Sequence, residues 1–300
     1  MTTSRALVLA RGLGTRMRAP DASAQLTPEQ QRAAETGVKA MIPLNGHPFL
    51  DFILSSLADA GIRSVALVVA PDHSALSRYY QFDARPTRVR LDFVVQEAPL
   101  GTANAVLAAE PWVAGDPFLA INADNLYPVP VLAELASLSE PGLPAFEAGD
   151  LVRSSNIPAE RIRSFAMLDV DEHGYLIGIV EKPTSDLPPK GGSHKTTGEA
   201  GHKTNREGGR QNPRTMWPPP SSGRFISMNC WRFDGRIFDA CRAVPKSSRG
   251  EFELAEAVGL AVGLGVRFKT FAAPGPVLDL STRADAADVA HRLAATTPRP

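Results

Sequence analysis

Ten residues, Leu9-Ala10-Arg11-Gly12-Leu13-Gly14-Thr15-Arg16-Met17-Arg18, carry the densest chemical signal in the chain. Glycines let backbone N–H groups come close to phosphate oxygens, and an arginine just beyond them can grip those oxygens bidentately. The chemistry on offer is phosphate recognition. A dinucleotide fingerprint would need its third glycine at position 17, where Met17 stands, and the Gly-Lys-Ser/Thr of a P-loop is absent. Read by itself, Gly-x-Gly is more often a plain turn, so the segment needs independent support. Other reactive constellations fail. Asp169-x-Asp171-x-His173-Gly174 opens like a calcium loop, but Val180 stands where the bidentate Glu belongs, so a turn is expected. The six histidines show no ligand spacing, and no Gly-x-Ser-x-Gly elbow is present.

A phosphate loop needs a rigid element before it. Apolar runs rich in Val, Ile and Leu recur at Ala6 to Ala10, Val65 to Ala70, Val89 to Gln96 and Phe118 to Asn122, with helical patterns between most of them. That alternation predicts a mainly parallel sheet covered by helices. Pro48 opens the clearest helix, with Phe49, Leu50, Ile53, Leu54 and Leu57 on one face and Gly61 as its stop. Thr27-Pro28-Glu29-Gln30 is a capping box, so a short surface helix is expected from Thr27 to Thr36. Beyond Leu151 the spacing predicts a β-hairpin from Ser164 to Asp169 and Leu176 to Val180, then strands at Phe225 to Phe233 and Val266 to Phe271. Helices are expected at Gly235 to Ala243, Glu251 to Val262 and Thr282 to Ala294. Residues Pro188 to Arg224 carry seven basic side chains against Glu199 and Glu207 and few apolar ones, and read as a disordered basic insertion.

Composition narrows the class. With 32 basic and 32 acidic residues the chain has no net charge, which disfavours a general nucleic-acid or anionic-membrane binder. Apolar residues at 43% and charged residues at 21% suit a globular protein. Cys230 and Cys241 are too few for a disulfide framework or a four-thiolate zinc site, and the apolar run near the N-terminus is too short for a signal or membrane segment. A cytoplasmic protein is expected. Composition is silent on oligomeric state.

The order of several individually weak pieces adds more. After Gly12 to Arg16 come Lys39-Ala40-Met41-Ile42-Pro43, the helix led by Pro48, and Gln96 followed by Gly101-Thr102-Ala103. Then follow Asn122-Ala123-Asp124-Asn125, Glu181-Lys182-Pro183, and the stretch from Leu278 to Asp285. In this collinear order, from Ala6 to about Leu293, the chain resembles the sugar-phosphate nucleotidylyltransferases, the family that includes glucose-1-phosphate thymidylyltransferase and UTP–glucose-1-phosphate uridylyltransferase. The resemblance implies one domain over residues 1–300: a three-layer α/β/α fold with a mixed, mainly parallel sheet and a site at the carboxyl ends of its strands. It also implies transfer of a nucleotidyl group from a nucleoside triphosphate to a sugar 1-phosphate, with Mg²⁺ as cofactor. The attacking phosphate oxygen is already anionic, so this chemistry requires positioning and charge neutralisation but no general base.

Roles follow on the same terms. Leu9, Ala10, Gly12, Gly14 and Thr15 should hold the triphosphate with Arg16 and Lys39, while Gln96, Gly101 and Thr102 should meet the nucleoside. Asp124 and Asp279 are the expected Mg²⁺ ligands; for Asp124 the alternative is an N-cap of the helix from Val129 to Leu138. Lys182 is assigned to the sugar phosphate, Glu181 to sugar hydroxyls and Asn229 to a further sugar contact, although Glu181 and Lys182 also suit a surface ion pair. Two positions depart from the family: Arg11 replaces a small residue, and Ala123 replaces the glycine before the metal-binding aspartate. The 22 positions between Arg16 and Lys39 are also long for it. The alternatives are a non-catalytic nucleotide-sugar-binding regulator, which Arg11 favours, and an acceptor such as phosphocholine.

Overall fold

Apolar residues that do not alternate with polar ones require a strand covered on both faces. The structure is a computed structural model that describes residues 2–21, 24, 26–180 and 225–300. In it Arg5–Leu9 (β1) sends Ala6 and Val8 into one apolar layer and Leu7 into the other. Ser64–Val69 (β2), Arg90–Val95 (β3), Phe118–Asn122 (β4), Gly142–Glu147 (β5) and Ala166–Val170 (β6) follow along the chain. Leu176–Val180 (β7), Phe225–Ser227 (β8), Cys230–Phe233 (β9) and Lys269–Ala273 (β10) complete one ten-stranded sheet. Its order is β7-β6-β8-β5-β9-β4-β1-β2-β3, and β10 also pairs with β5. Strands β3, β2, β1 and β4 run parallel, as do β5 and β10, while β9 and the β6–β7 hairpin run against their neighbours.

The helices Phe49–Asp59, Val129–Ser137 and Asp285–Arg292 cover one face, burying Phe52, Leu135 and Val289. The helices Thr102–Ala108, Arg236–Ala243 and Leu254–Gly263 cover the other with Val106, Phe238 and Val258. The result is the expected three-layer fold with a mixed, mainly parallel sheet. None of the helices among the described residues is long and apolar enough to cross a membrane.

Several boundaries differ from expectation for identifiable reasons. The run from Phe225 to Phe233 is two strands, because Asn229 takes a left-handed conformation at φ 56° and the buried Tyr127 hydroxyl donates to the Met228 carbonyl at 2.6 Å, holding the bend. Ser164 closes a 3₁₀ turn over Ala159–Ser164, its hydroxyl donating to the Arg161 carbonyl, so the hairpin begins at Ala166. The last strand of the large sheet is Lys269–Ala273 rather than 266–271, and the last helix starts at Asp285 rather than Thr282. Strand β5 lies centrally although Pro144 argues against a central strand; Pro144 stands opposite Phe271 in the parallel ladder with β10. The turn favoured for Asp171 forms, its carboxylate accepting from the backbone of His173 and Tyr175. Glu181, Lys182 and the basic insertion lie outside the described residues.

The capping box forms as expected. Thr27 Oγ1 accepts from the Gln30 backbone at 3.2 Å, and Gln30 Oε1 accepts from the Thr27 backbone at 3.0 Å. The helix is Pro28–Thr36, and Gly37 at φ 76° ends it two residues before Lys39. Replacing Thr27 by Ala is expected to cost about 1 kcal/mol, read as a fall in Tm of about 2 °C by differential scanning calorimetry. An unchanged Tm would show that the segment is held by its packing alone.

Candidate active site

Parallel pairing does not stop at the strand ends. The backbone of Ala10 donates to the Val68 carbonyl, that of Gln96 to Val69 and that of Ala123 to Leu9, at 2.9, 2.9 and 3.2 Å. These bonds set the loops after β1, β3 and β4 side by side at the carboxyl edge of the sheet. Between them opens a cleft of about 240 Å³ lined in part by Leu9, Ala10, Gly12, Lys39, Gln96 and Gly101. Adjoining it is a second cavity of about 430 Å³, whose lining includes Arg16, Arg161, Asn229, Arg249 and Asp279. Thr102, Asn122, Asp124 and Glu251 line both. One continuous site therefore has Asp124 at the junction of its halves.

Close backbone approaches build the first half. Gly14 has φ 62°, and a Cβ there would lie 2.0 Å from the Gly37 carbonyl oxygen, so only glycine lets the loop press against the segment that carries Lys39. Gly12 has open space around it and lines the cleft, whereas Gly14 and Thr15 do not line it. Gln96, a buried polar residue, donates through Nε2 to the Gly101 carbonyl at 3.1 Å and to Asn104 Oδ1 at 2.8 Å. With its amide nitrogen committed, its side-chain oxygen is the group left for a ligand. Thr102 lines both halves of the cleft, and its hydroxyl accepts from the Leu254 backbone at 2.9 Å, satisfying the first N–H of the helix Leu254–Gly263. Arg11 is drawn along the strand end, with Nε 2.7 Å from the Gln96 carbonyl and Nη2 3.1 Å from that of Glu97. It ties the glycine loop after β1 to the segment carrying Gln96.

At the junction Lys39 Nζ lies 2.9 Å from Asp124 Oδ2, with both side chains partly exposed. Asp124 is not a helix cap, because Pro128 occupies the N-cap of Val129–Ser137. The two-residue strand Leu278–Asp279 pairs antiparallel with Asn125–Leu126, and the Leu280 backbone donates to the Asp124 carbonyl at 2.8 Å. Register thus makes Asp279 the neighbour of Asp124. Asp279 is buried, and its Oδ2 accepts from Arg161 Nη1 at 2.7 Å. Its Oδ1 accepts from Ser281 Oγ at 2.8 Å and Asn125 Nδ2 at 3.3 Å. Burial, then the charge of Asp124, push the Asp279 carboxyl above its ordinary range, against Ser281 and Arg161.

Charged lining residues that sequence reasoning missed include Arg161, Arg249 and Glu251. The helix expected from Glu251 begins at Leu254, so Arg249-Gly250-Glu251 form a turn facing the cavity, with Arg249 paired to Glu253. An Arg-Gly-Glu run just ahead of a helical pattern was the available signal. Arg161 offered none, being one arginine among several in a polar stretch. Neither cysteine is a candidate nucleophile: burial pushes the Cys241 thiol up to about 12 and raises that of Cys230 as well.

No group of three His, Cys, Asp or Glu side chains placed for a metal occurs among the described residues. Mg²⁺ commonly takes one or two carboxylates together with phosphate oxygens, so a pair is enough. Asp124 meets that need with the oxygen that Lys39 does not hold, and Asp279 meets it when Arg161 yields its oxygen. The pair fits a cation that arrives with phosphate.

A glycine-bearing loop at the carboxyl edge of a parallel sheet, with a lysine, two carboxylates and arginines around one cleft, defines an α/β protein built to handle phosphate esters. Residues 5–272 match the nucleotidyl transferase family, and the chain belongs to it. It is 26% identical to a glucose-1-phosphate thymidylyltransferase of Xanthomonas campestris pv. campestris, over 85% of this chain and 68% of that one. It is 23% identical to UTP–glucose-1-phosphate uridylyltransferase AglF of Haloferax volcanii, over 96% of each chain. Against the low-salt glycan biosynthesis nucleotidyltransferase Agl11 of that organism, identity is 24% and the chain spans about half the relative's length, 51%. Among solved structures, a UDP-glucose pyrophosphorylase complexed with UDP-glucose superposes with a TM-score of 0.68 at 16% identity, covering 98% of this chain and 99% of that one. This likeness shows a shared fold.

Proposed function

We propose that this chain transfers a nucleotidyl group from a nucleoside triphosphate to a sugar 1-phosphate, releasing pyrophosphate. The observation that carries this reading is the two-part cleft meeting at Asp124, with a phosphate loop and Gln96 on one side and a cavity lined by arginines on the other. An oxygen of the acceptor phosphate attacks the α-phosphorus, a P–O bond forms, and the bond to the departing pyrophosphate breaks. No proton moves in that step, which accords with a cleft whose described lining contains no histidine.

Ala10 and Gly12 with Lys39 hold the triphosphate, with Arg16 meeting it from the adjoining cavity, and Gln96 with Gly101 orients the base. Asp124 and Asp279 would hold Mg²⁺, which would supply charge neutralisation as the two phosphates meet. Support for the pair is their placement on neighbouring registered strands and the raised Asp279 carboxyl, pushed up first by burial and then by the charge of Asp124, which a divalent cation would offset. Asn229, on the bend that Tyr127 holds, faces the acceptor half. By resemblance to the family, Lys182 is assigned to the sugar phosphate and Glu181 to sugar hydroxyls.

Pyrophosphate release measured for each nucleoside triphosphate with a panel of sugar 1-phosphates and with phosphocholine tests the reading. Release with a sugar phosphate is expected; release with phosphocholine alone moves the acceptor outside the sugars. Nucleotide binding without release in any pairing identifies a regulator instead. Within the same assay, Lys182→Ala is expected to raise the acceptor KM about tenfold or more and leave that of the triphosphate nearly unchanged. Equal losses for both substrates would remove Lys182 from the acceptor phosphate.

A further inference from the structure

Each carboxylate proposed for the metal already has a side-chain cation. Lys39 sits on Asp124 at 2.9 Å and Arg161 on Asp279 at 2.7 Å, so each of the two carboxylates has a positive partner. The two pairs differ in their anchoring. Arg161 is a fork: Nη1 meets Asp279 while Nη2 meets Asp285 Oδ1 at 2.9 Å. Asp285 is itself held rigidly, its Oδ2 accepting from the Ser281 backbone, the Thr282 backbone and the Thr282 hydroxyl at 3.0, 2.7 and 2.9 Å. Asp279 and Asp285 are almost wholly buried, whereas the Arg161 side chain keeps 15% of its surface and lines the acceptor cavity. A guanidinium in this setting has one limb fixed and one limb on a carboxylate that a divalent cation would claim.

We propose that Arg161 is an exchangeable counter-ion and a ligand of the acceptor phosphate. Its Nη1 limb neutralises Asp279 until a divalent cation takes that carboxylate, and then turns to the phosphate while Nη2 stays on Asp285. The proposal rests on the nucleotidyl-transfer reading and assigns a residue that the family resemblance did not point to. The exchange conserves charge: the cation replaces both side-chain cations on the carboxylates, and these become available to the incoming phosphates. Guanidinium suits the second role because its planar fork can bind a carboxylate with one edge and phosphate oxygens with the other. The exchange also keeps the buried Asp279 from standing uncompensated, which would be strongly unfavourable.

The proposal gives opposite signs for two affinities. In the whole chain, Arg161→Gln removes the competitor for Asp279 and is expected to bind Mn²⁺, followed by the electron paramagnetic resonance of the free ion, about tenfold more tightly. The same variant is expected to bind glucose 1-phosphate, in the presence of Mn²⁺, about tenfold more weakly by calorimetry. Arg161→Lys, which keeps the charge, is expected to restore Mn²⁺ affinity to the wild-type value. A merely structural role would lower both affinities together; that result, or an unchanged Mn²⁺ affinity, overturns the proposal alone. A wild-type chain that binds no Mn²⁺ even with nucleotide overturns the metal reading and this one with it. Should Arg161→Gln not fold, the unaltered chain answers: the Arg161 side-chain N–H resonances, assigned by their loss in Arg161→Lys, are expected to shift as Mg²⁺ is added with nucleotide. Resonances that stay in place overturn the exchange.

Discussion

Asp124→Asn is expected to lower kcat by about two orders of magnitude or more while much of the nucleotide affinity and the fold remain. The change is nearly isosteric, so the strand pairing of Asn125 with Asp279 and the bond from Leu280 to the residue-124 carbonyl are unaffected. What disappears is one negative charge at the junction of the two half-sites. That charge orients Lys39, 2.9 Å away, and holds the cation proposed there. Both effects bear on the charge that develops between attacking and leaving oxygens, which weighs more on turnover than on binding. Because the pair is partly exposed, losing it costs little stability. Steady-state pyrophosphate release with Mg²⁺ at saturating substrates is the measurement. A variant turning over within about twofold of the parent would remove Asp124 from the metal site.

The second large effect lies in the backbone. Gly101 has φ 111°, and a Cβ there would stand 2.5 Å from the Phe252 carbonyl oxygen and 2.7 Å from its nitrogen. Neither atom can yield, because the backbone of Phe252 donates to the Leu100 carbonyl and its own carbonyl accepts from Ala103. Gly101→Ala therefore combines left-handed strain with a backbone clash, and about 3 kcal/mol of lost stability is expected. This corresponds to a fall in Tm of about 6 °C or more. Nucleotide affinity should fall with it, since Gln96 Nε2 is anchored on the Gly101 carbonyl. Gly12→Ala is the control: a Cβ at position 12 meets nothing within 4 Å, so stability should hold. A Gly101→Ala chain melting within about 1 °C of the parent would show that the segment around Phe252 can move aside.

Much of this arrangement was legible before folding was considered. Strand β4 begins and ends as its apolar run does, β1 to β3 fall within a residue or two of theirs, and the Thr27 capping box closes as its residue types require. These features are local, set by side-chain periodicity and by hydrogen bonds spanning three residues. Strand β5 was not among the expected strands: Gly142-Leu143-Pro144-Ala145-Phe146-Glu147 contains no Val or Ile, and Pro144 stands opposite Phe271 in a ladder that only the fold supplies. The expected helix start at Glu251 was misplaced because nothing local shows that Thr102, far away in the chain, supplies the cap at Leu254.

Residue types and periodicity were enough to mark the glycine loop, the strand before it, the main helices that cover the sheet and the candidate carboxylates at positions 124 and 279. Tertiary structure alone decided which charges face one another. Arg161 meets Asp279 across 118 positions of chain and Asp285 across 124, and Lys39 meets Asp124 across 85. Such partners carry no periodic signature, because a charged side chain in a polar stretch looks the same whether it will be solvated or buried against a carboxylate. Register between short strands, and the burial that makes an unpaired charge costly, select the pairs only when the whole sheet has closed.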